Sequence, residues 1–277
     1  MAQTIAYLGP VGTYTEEAAL LYAADSLLAP YPTISGIGVA VSSGETDQGV
    51  VPIENSLEGS VTYTLDLLIT QSGLSICNEI VIPIEHYLMS LPGAITKDIE
   101  VIYSHPQALA QCRIYLDANY PSAHRTASLS TVAAVTDMKN SNVPAAAIAP
   151  HRASFLHNVE IIGRDIQDNP NNLTRFVVLD KTDHASTGND KTSICFSFDN
   201  DSPGSLYSTL GEFAERGINL NKVESRPTKE SLGQYIFLID CDGHREDTTV
   251  RNAIEGISSK VSMLKVLGSY PKWETSI

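Results

Sequence analysis

The segment Asn172–Phe176 carries side chains that could bind an anionic molecule. Thr174 supplies a hydroxyl and Arg175 a guanidinium, immediately before the apolar residues Val177-Val178-Leu179. A guanidinium binds a carboxylate through paired hydrogen bonds, and a nearby hydroxyl can add another. The segment therefore predicts either a carboxylate site at a strand edge or, as the alternative, a strand start with an exposed arginine.

Ser104–Gln107 leads from a predicted strand into a predicted helix. The segment has the form of a capping box, with Ser104 at the N-cap, Pro106 in the first turn and Gln107 three residues after Ser104. Gln111 follows Gln107 by one turn, so both amides lie on one helix face. Capping alone would explain the pattern, and so would a ligand site at the helix N-terminus, because α/β folds bind ligands there. The spacing does not distinguish these two interpretations.

The remaining turns and cysteines indicate no nucleotide, metal or hydrolase site. The turn Gly9–Thr13 is shorter than a P-loop and lacks its lysine. Asn55 or Ser56 is expected to cap a helix. The chain contains no H-E-x-x-H or G-x-S-x-G sequence, and its four cysteines lie far apart. We therefore expect no bound metal, no disulfide framework and buried, reduced thiols.

Charge narrows the classes of partner. The 277 residues include 18 Lys plus Arg against 32 Asp plus Glu, a net charge of −14, which disfavours nucleic acids and anionic membranes. Residues 1–96 contain no Lys or Arg, so an anion there must bind backbone N–H groups, helix N-termini and hydroxyls. The chain also lacks a long apolar segment and a leader pattern at its start, which predicts a cytoplasmic protein.

The pattern of elements predicts an α/β region followed by a second domain. Strands alternate with helices over residues 1–181, which indicates a largely parallel sheet in two lobes. Residues 182–192 are small and polar, as in a linker. Residues 193–270 read as βαββαβ, the ferredoxin-like order. The helices predicted in the first region are Thr15–Leu28, Leu57–Gln71, Pro106–Ala118 and Ser130–Lys139.

Five motifs follow one another along the chain. They are Tyr7–Thr13 with Glu16–Ala19, Gly49–Ser56, Ser104–Cys112, Asn171–Phe176 and, in the C-terminal part, Gly204–Leu206 with Ile218–Leu220 and Glu224–Pro227. In this order they resemble the prephenate dehydratase family, and the C-terminal part resembles its regulatory ACT domain. Ser205 departs from the family pattern, which usually has alanine there.

The resemblance implies a two-lobed fold similar to periplasmic binding proteins, with the active site in the cleft, plus an ACT domain. It implies decarboxylation and dehydration of prephenate to phenylpyruvate, CO2 and water in phenylalanine biosynthesis, without a cofactor. It also implies feedback inhibition by L-phenylalanine and a homodimer or homotetramer formed through the ACT domains.

The resemblance also implies three sets of site residues. The catalytic set is Thr174, Arg175, Phe176, Asn55, Ser104 and Gln111. The residues expected around the substrate are Gly12, Thr13, Ser56, Ser130 and Thr131. The effector set is Gly204, Ser205, Leu206, Asn219, Glu224, Ser225, Arg226 and Pro227.

Two other functions are compatible with these motifs. An arogenate dehydratase acts on a substrate that differs by an amino group, and assays of both substrates would separate the two enzymes. A non-catalytic amino-acid sensor would not need Thr174 and Gln111, and a turnover assay would identify it.

Overall fold

The computed structural model describes residues 2–71, 73–199, 202–228 and 233–274. The chain forms two compact units, each built from three segments. The first unit contains Met1–Thr33, Glu54–Ser60 and Val81–Arg175, and the second contains Ile34–Ile53, Val61–Ile80 and Phe176–Ile277.

Helices and strands alternate through most of the described chain. The helices are α1 Tyr14–Tyr22, α2 Ile34–Ser43, α3 Thr62–Thr70, α4 Pro106–Gln111, α5 Arg113–Asn119, α6 Thr131–Lys139, α7 His151–His157, α8 Ser205–Ala214 and α9 Thr248–Ser258. The strands are β1 Thr4–Leu8, β2 Leu27–Tyr31, β3 Gln48–Asn55, β4 Gly59–Ser60, β5 Ser75–Pro83, β6 Tyr87–Ser90, β7 Val101–Ser104, β8 His124–Ala127, β9 Ala145–Ala149, β10 Glu160–Gly163, β11 Leu173–Asp180, β12 Asp190–Ser197, β13 Leu220–Pro227, β14 Tyr235–Asp242 and β15 Met263–Pro271.

A five-stranded mixed sheet, in the order β10-β6-β9-β7-β8, lies in the first unit. Its central strand β9 is fully buried because its side chains alternate between two apolar clusters. Ala147 packs in a cluster with Val135 of α6, and Ile148 packs in a cluster with Leu116 of α5. Helices therefore cover both faces of this sheet, as the α/β pattern predicts.

The second unit contains an antiparallel four-stranded sheet in the order β13-β14-β12-β15. Helices α8 and α9 contribute Phe213 and Ile257 to one core with Phe196 and Ile239 of the sheet. The element order β12-α8-β13-β14-α9-β15 confirms the predicted βαββαβ arrangement.

The same unit includes α3 and the part of β5 up to Ile80, and three basic side chains of the βαββαβ sheet contact them. Arg226 Nη2 lies 2.8 Å from Asp66 Oδ1 of α3. Lys265 Nζ donates to the carbonyls at the end of α3, at 2.6 Å from Leu68 O and 2.7 Å from Gln71 O. Lys191 Nζ lies 2.8 Å from each carboxylate oxygen of the buried Glu79.

Two predicted helices have wrong boundaries. The helix predicted over Thr15–Leu28 ends at Tyr22, because Leu27 and Leu28 belong to β2, which pairs in parallel with β1. The helix predicted from Leu57 begins at Thr62, because Gly59 and Ser60 pair back on β3 as the short strand β4.

The helix predicted over Pro106–Ala118 is broken at Cys112. Asp168 explains the break, because its backbone N–H donates to Gln111 O at 2.6 Å while its carboxylate accepts the N–H of Ile114 at 3.0 Å. The four predicted buried thiols are confirmed, since all four cysteines are buried and free. No helix among the described residues is long and apolar enough to cross a membrane.

Candidate active site

Asn55, the last residue of β3, connects this strand to the start of β11. Its side-chain Nδ2 donates to Thr174 Oγ1 at 2.9 Å, to Asn172 Oδ1 at 2.7 Å and to Leu173 O at 3.1 Å. Asn55, Asn172 and Thr174 are all buried. Three polar side chains separated by up to 119 positions in sequence therefore form one buried cluster within the first unit.

The amide of Asn55 has a defined orientation. Its Oδ1 accepts the backbone N–H groups of Leu57 at 3.0 Å and Glu58 at 3.1 Å, so its NH2 group must face Thr174. Thr174 Oγ1 consequently accepts a hydrogen bond, and its own hydroxyl hydrogen has no acceptor among the described residues. A hydroxyl held in this way can donate to a ligand.

Gln111 extends the cluster from the end of α4. Its Oε1 accepts from His86 Nε2 at 2.9 Å and from Asn172 Nδ2 at 3.1 Å, while its Nε2 lies 3.3 Å from Glu58 Oε1. Hydrogen bonds thus run without interruption from His86 through Gln111, Asn172 and Asn55 to Thr174.

Sequence reasoning did not identify His86 as a functional residue. It follows Glu85, directly precedes the fully buried strand β6 and is itself only 2% exposed. Burial lowers the pKa of His86, which favours the neutral imidazole. A histidine next to a largely apolar predicted strand was the only signal in the sequence that could have indicated it.

Arg175 and Thr174 contact different partners on β3. Successive side chains of a strand point to opposite faces, so Thr174 contacts Asn55 while Arg175 Nη1 lies 3.6 Å from Glu54 Oε2. The Arg175 side chain is 12% exposed, and Phe176 is buried in the second unit.

Ser104 is not the N-cap that the sequence predicts. It is the last residue of β7, and its hydroxyl donates to Ile148 O of β9 at 2.8 Å. His105 caps α4 instead, since its Nδ1 accepts the N–H of Gln107. The capping position is displaced by one residue because Ser104 is still paired within the sheet.

Ser56 joins the same ends of β3 and β11 as Asn55. Its hydroxyl accepts the N–H of Leu173 at 2.9 Å and donates to Asn171 O at 3.2 Å. Ser56 is exposed, so this residue lies at the surface end of the cluster.

The other predicted substrate residues lie at helix N-termini. Thr13 caps α1 and Ser130 caps α6, where Ser130 Oγ accepts the N–H of Ala133 at 2.9 Å. Thr131 is the first residue of α6. The N–H of Gly12 donates to Glu16 Oε2 at 2.7 Å, so a protein carboxylate already occupies this donor.

Three of the predicted effector residues lie at the start of α8. Gly204 is its N-cap, with φ of 91°, and Ser205 Oγ accepts the N–H of Ser202 at 3.3 Å. Leu206 packs against the core of the βαββαβ domain.

The other predicted effector residues lie along or beside β13. Glu224 Oε2 is 3.2 Å from Lys222 Nζ, and Ser225 and Pro227 are exposed. Asn219 O, just before β13, accepts the N–H of Asp242 at 3.0 Å. Arg226 is buried and paired with Asp66, as described above.

In the parts of the chain that the structure describes, no group of three or more His, Cys, Asp or Glu side chains could hold a metal ion.

Comparison with known proteins assigns most of the chain to one family. The prephenate dehydratase family model matches residues 5–184, and the ACT domain model matches residues 200–258. A bifunctional chorismate mutase/prephenate dehydratase from Aquifex aeolicus is 42% identical over 97% of this chain and 73% of the relative. A prephenate dehydratase from Lactococcus lactis subsp. cremoris is 37% identical over 96% of each chain.

A solved structure has the same architecture. Prephenate dehydratase from Arthrobacter aurescens, in complex with L-Phe, superposes with a TM-score of 0.90 and 37% identity, over 97% of this chain and 90% of that chain. The predicted fold class is therefore confirmed as a periplasmic-binding-protein-like α/β fold with a C-terminal ACT domain. With the family model matching residues 5–184, the chain belongs to the prephenate dehydratase family and is a lyase.

Proposed function

We propose that this enzyme converts prephenate to phenylpyruvate, CO2 and water in phenylalanine biosynthesis, with Thr174 as the central catalytic hydroxyl. The observation that carries the proposal is the hydrogen bond from Asn55 Nδ2 to Thr174 Oγ1, because it leaves the hydroxyl hydrogen of Thr174 available to a ligand.

The reaction depends more on the orientation of the substrate than on the acidity of a catalytic group. The bond from the ring to its carboxylate breaks, its electron pair enters the ring, and the ring hydroxyl leaves from the opposite carbon. One proton is taken up overall, so that hydroxide leaves as water. Thr174 has no useful pKa near neutrality, so we assign it as the hydrogen-bond donor to the departing oxygen. The bond it accepts from Asn55 polarises its hydroxyl for this donation.

We further propose that neutral donors hold most of the substrate. Gln111 would donate to it directly, whereas Asn55 and Ser104, whose donors are bound to Thr174 and Ile148, would position it indirectly. Arg175 with Phe176 would complete the Thr174 motif. The absence of Lys and Arg from residues 1–96 favours binding by hydroxyls and N–H groups there. Of the five residues expected around the substrate, Thr13, Ser56, Ser130 and Thr131 are assigned to binding of this kind. Gly12 is not, because its N–H already donates to Glu16 Oε2.

Purified enzyme should form phenylpyruvate from prephenate, and its kcat/KM should be higher for prephenate than for arogenate. Both substrates should be assayed under the same conditions, since arogenate would yield phenylalanine in place of phenylpyruvate. A higher kcat/KM for arogenate would identify an arogenate dehydratase, and no turnover of either substrate would favour a non-catalytic sensor.

We also propose that L-phenylalanine inhibits the enzyme by binding its ACT domain in a homodimer or homotetramer. The ACT match and the L-Phe complex of the Arthrobacter aurescens relative support this assignment. Strands β13 and β15 are the edges of the four-stranded sheet, and pairing between subunits would cover exposed edges. The buried free thiols suit the reducing cytoplasm, where we place the enzyme.

Replacing Gly204 with alanine should raise the half-inhibitory phenylalanine concentration by about tenfold, equivalent to about 1.4 kcal/mol of binding free energy. The left-handed backbone of Gly204, at the N-cap of α8, disfavours any other residue, and a changed backbone would move the N–H groups proposed to bind the effector carboxylate. The measurement is a phenylalanine titration of initial rates with prephenate.

Gly217→Ala is the matched control for this variant. Gly217 also has a left-handed backbone, with φ of 67°, and open space where a Cβ would lie, but it follows α8. The effector assignment fails if phenylalanine does not inhibit the wild-type enzyme or if both variants respond to phenylalanine as the wild type does.

A further inference from the structure

His86 has contacts that bear directly on the candidate active site. We propose that His86 is a positioning residue, which fixes the side-chain amide of Gln111 so that its NH2 group is presented to the substrate. This inference rests on the proposed function, because it gives Gln111 a substrate-binding role.

Both the backbone and the imidazole ring of His86 contact neighbouring residues. Its backbone N–H donates to Gln167 Oε1 at 2.9 Å, and its carbonyl accepts the N–H of Ile166 at 3.0 Å. Its Nδ1 lies 3.4 Å from the hydroxyl of Tyr14, which in turn donates to the Glu85 carbonyl. The first two contacts restrain the backbone of His86, and its ring packs edge-on against that of Tyr14 with centroids 6.2 Å apart, which directs Nε2 toward Gln111.

The hydrogen-bond directions at Gln111 determine which way its amide points. Its Oε1 receives two donors, His86 Nε2 at 2.9 Å and Asn172 Nδ2 at 3.1 Å. Asn172 cannot reverse its amide without losing the bond that its Oδ1 accepts from Asn55. Turning the Gln111 amide over would therefore set its NH2 group against the NH2 group of Asn172, and it would require His86 to move its hydrogen from Nε2 to Nδ1.

This orientation leaves donor capacity on Gln111 Nε2. One of its hydrogens can reach Glu58 Oε1, which is 3.3 Å away, and the other has no acceptor among the described residues. A neutral donor of this kind can bind a carboxylate oxygen of a dianionic substrate. His86 thus contributes through Gln111 and does not itself need to reach the substrate.

Two substitutions distinguish the loss of the His86 N–H donor from a change in side-chain volume. His86→Leu removes the N–H, whereas His86→Gln can replace Nε2–H with an amide N–H. We expect His86→Leu to lower kcat/KM for prephenate by about tenfold and His86→Gln to remain within about threefold of the wild type. His124→Leu, on the exposed strand β8, is the control and should change neither kinetic parameter.

A double-mutant cycle with Gln111→Ala tests whether His86 acts through Gln111. Adding His86→Leu to Gln111→Ala should cause no further loss of kcat/KM. An equal loss in both backgrounds would overturn the proposal and make His86 purely structural.

The side-chain NH2 resonances of Gln111 give a second readout that needs no turnover. In His86→Leu they should shift and broaden as the amide is released, and unchanged resonances would overturn the proposal. Wild-type turnover of prephenate is measured separately, so failure of the proposed function is distinguishable from failure of this inference.

Discussion

Replacing Thr174 with alanine is expected to lower kcat for prephenate by at least about 10²-fold, the low end for a positioned proton-transfer group. The variant removes the donor to the departing hydroxyl and leaves Asn55 bound to Asn172 and Leu173. We therefore expect the fold to remain intact, with KM changed much less than kcat. Steady-state kinetics and thermal unfolding of the same preparation measure both properties.

Thr174→Ser provides the positive control, because it retains the hydroxyl and should recover much of the lost activity. Thr126→Ala, an exposed position on β8, should behave as the wild type. A folded Thr174→Ala enzyme with near-normal kcat would refute the assignment of Thr174.

The change Asn55→Asp is expected to lower kcat by a similar factor, at least about 10²-fold, although it preserves the shape of the side chain. A carboxylate can still accept the N–H groups of Leu57 and Glu58, but it cannot donate to Thr174 Oγ1. The Thr174 hydroxyl would then donate to the introduced carboxylate, and its hydrogen would no longer be available to the substrate.

Stability should also decrease in this variant. The buried Oδ1 of Asn172 loses its donor, and a buried acceptor without a partner costs about 1–3 kcal/mol. Denaturant unfolding measures this difference, and Asn119→Asp, exposed on α5, is the matched control. If Asn55→Asp has normal kcat, the direction of the hydrogen bond between these residues is irrelevant to catalysis.

The local patterns predict the class of fold well. Alternating strands and helices and the βαββαβ order are confirmed, because both depend on apolar periodicity within short segments. The predicted C-terminal end of α1 is wrong because Leu27 and Leu28 fit a helical pattern as well as a strand. Only their parallel pairing with β1 makes them a strand.

The candidate site was less predictable because it depends on contacts between distant segments. The helix cap predicted at Asn55 or Ser56 is wrong, because α3 begins only at Thr62. Asn55 accepts two backbone N–H groups in a turn, and its contact with Thr174 spans 119 positions. His86 belongs to no spaced motif, and its link to the cluster forms only when the end of α4 places Gln111 between His86 and Asn172.

The three basic side chains that contact α3 and β5 bear on protein engineering. The two family matches leave a boundary between residues 184 and 200, which suggests that the regulatory domain could be exchanged as a unit. A chimera joined directly after residue 184 would remove Lys191, Arg226 and Lys265, and thus the partners of Glu79, Asp66 and the final carbonyls of α3. Transplanting this module into another scaffold requires the donor's own residues 61–80 as well.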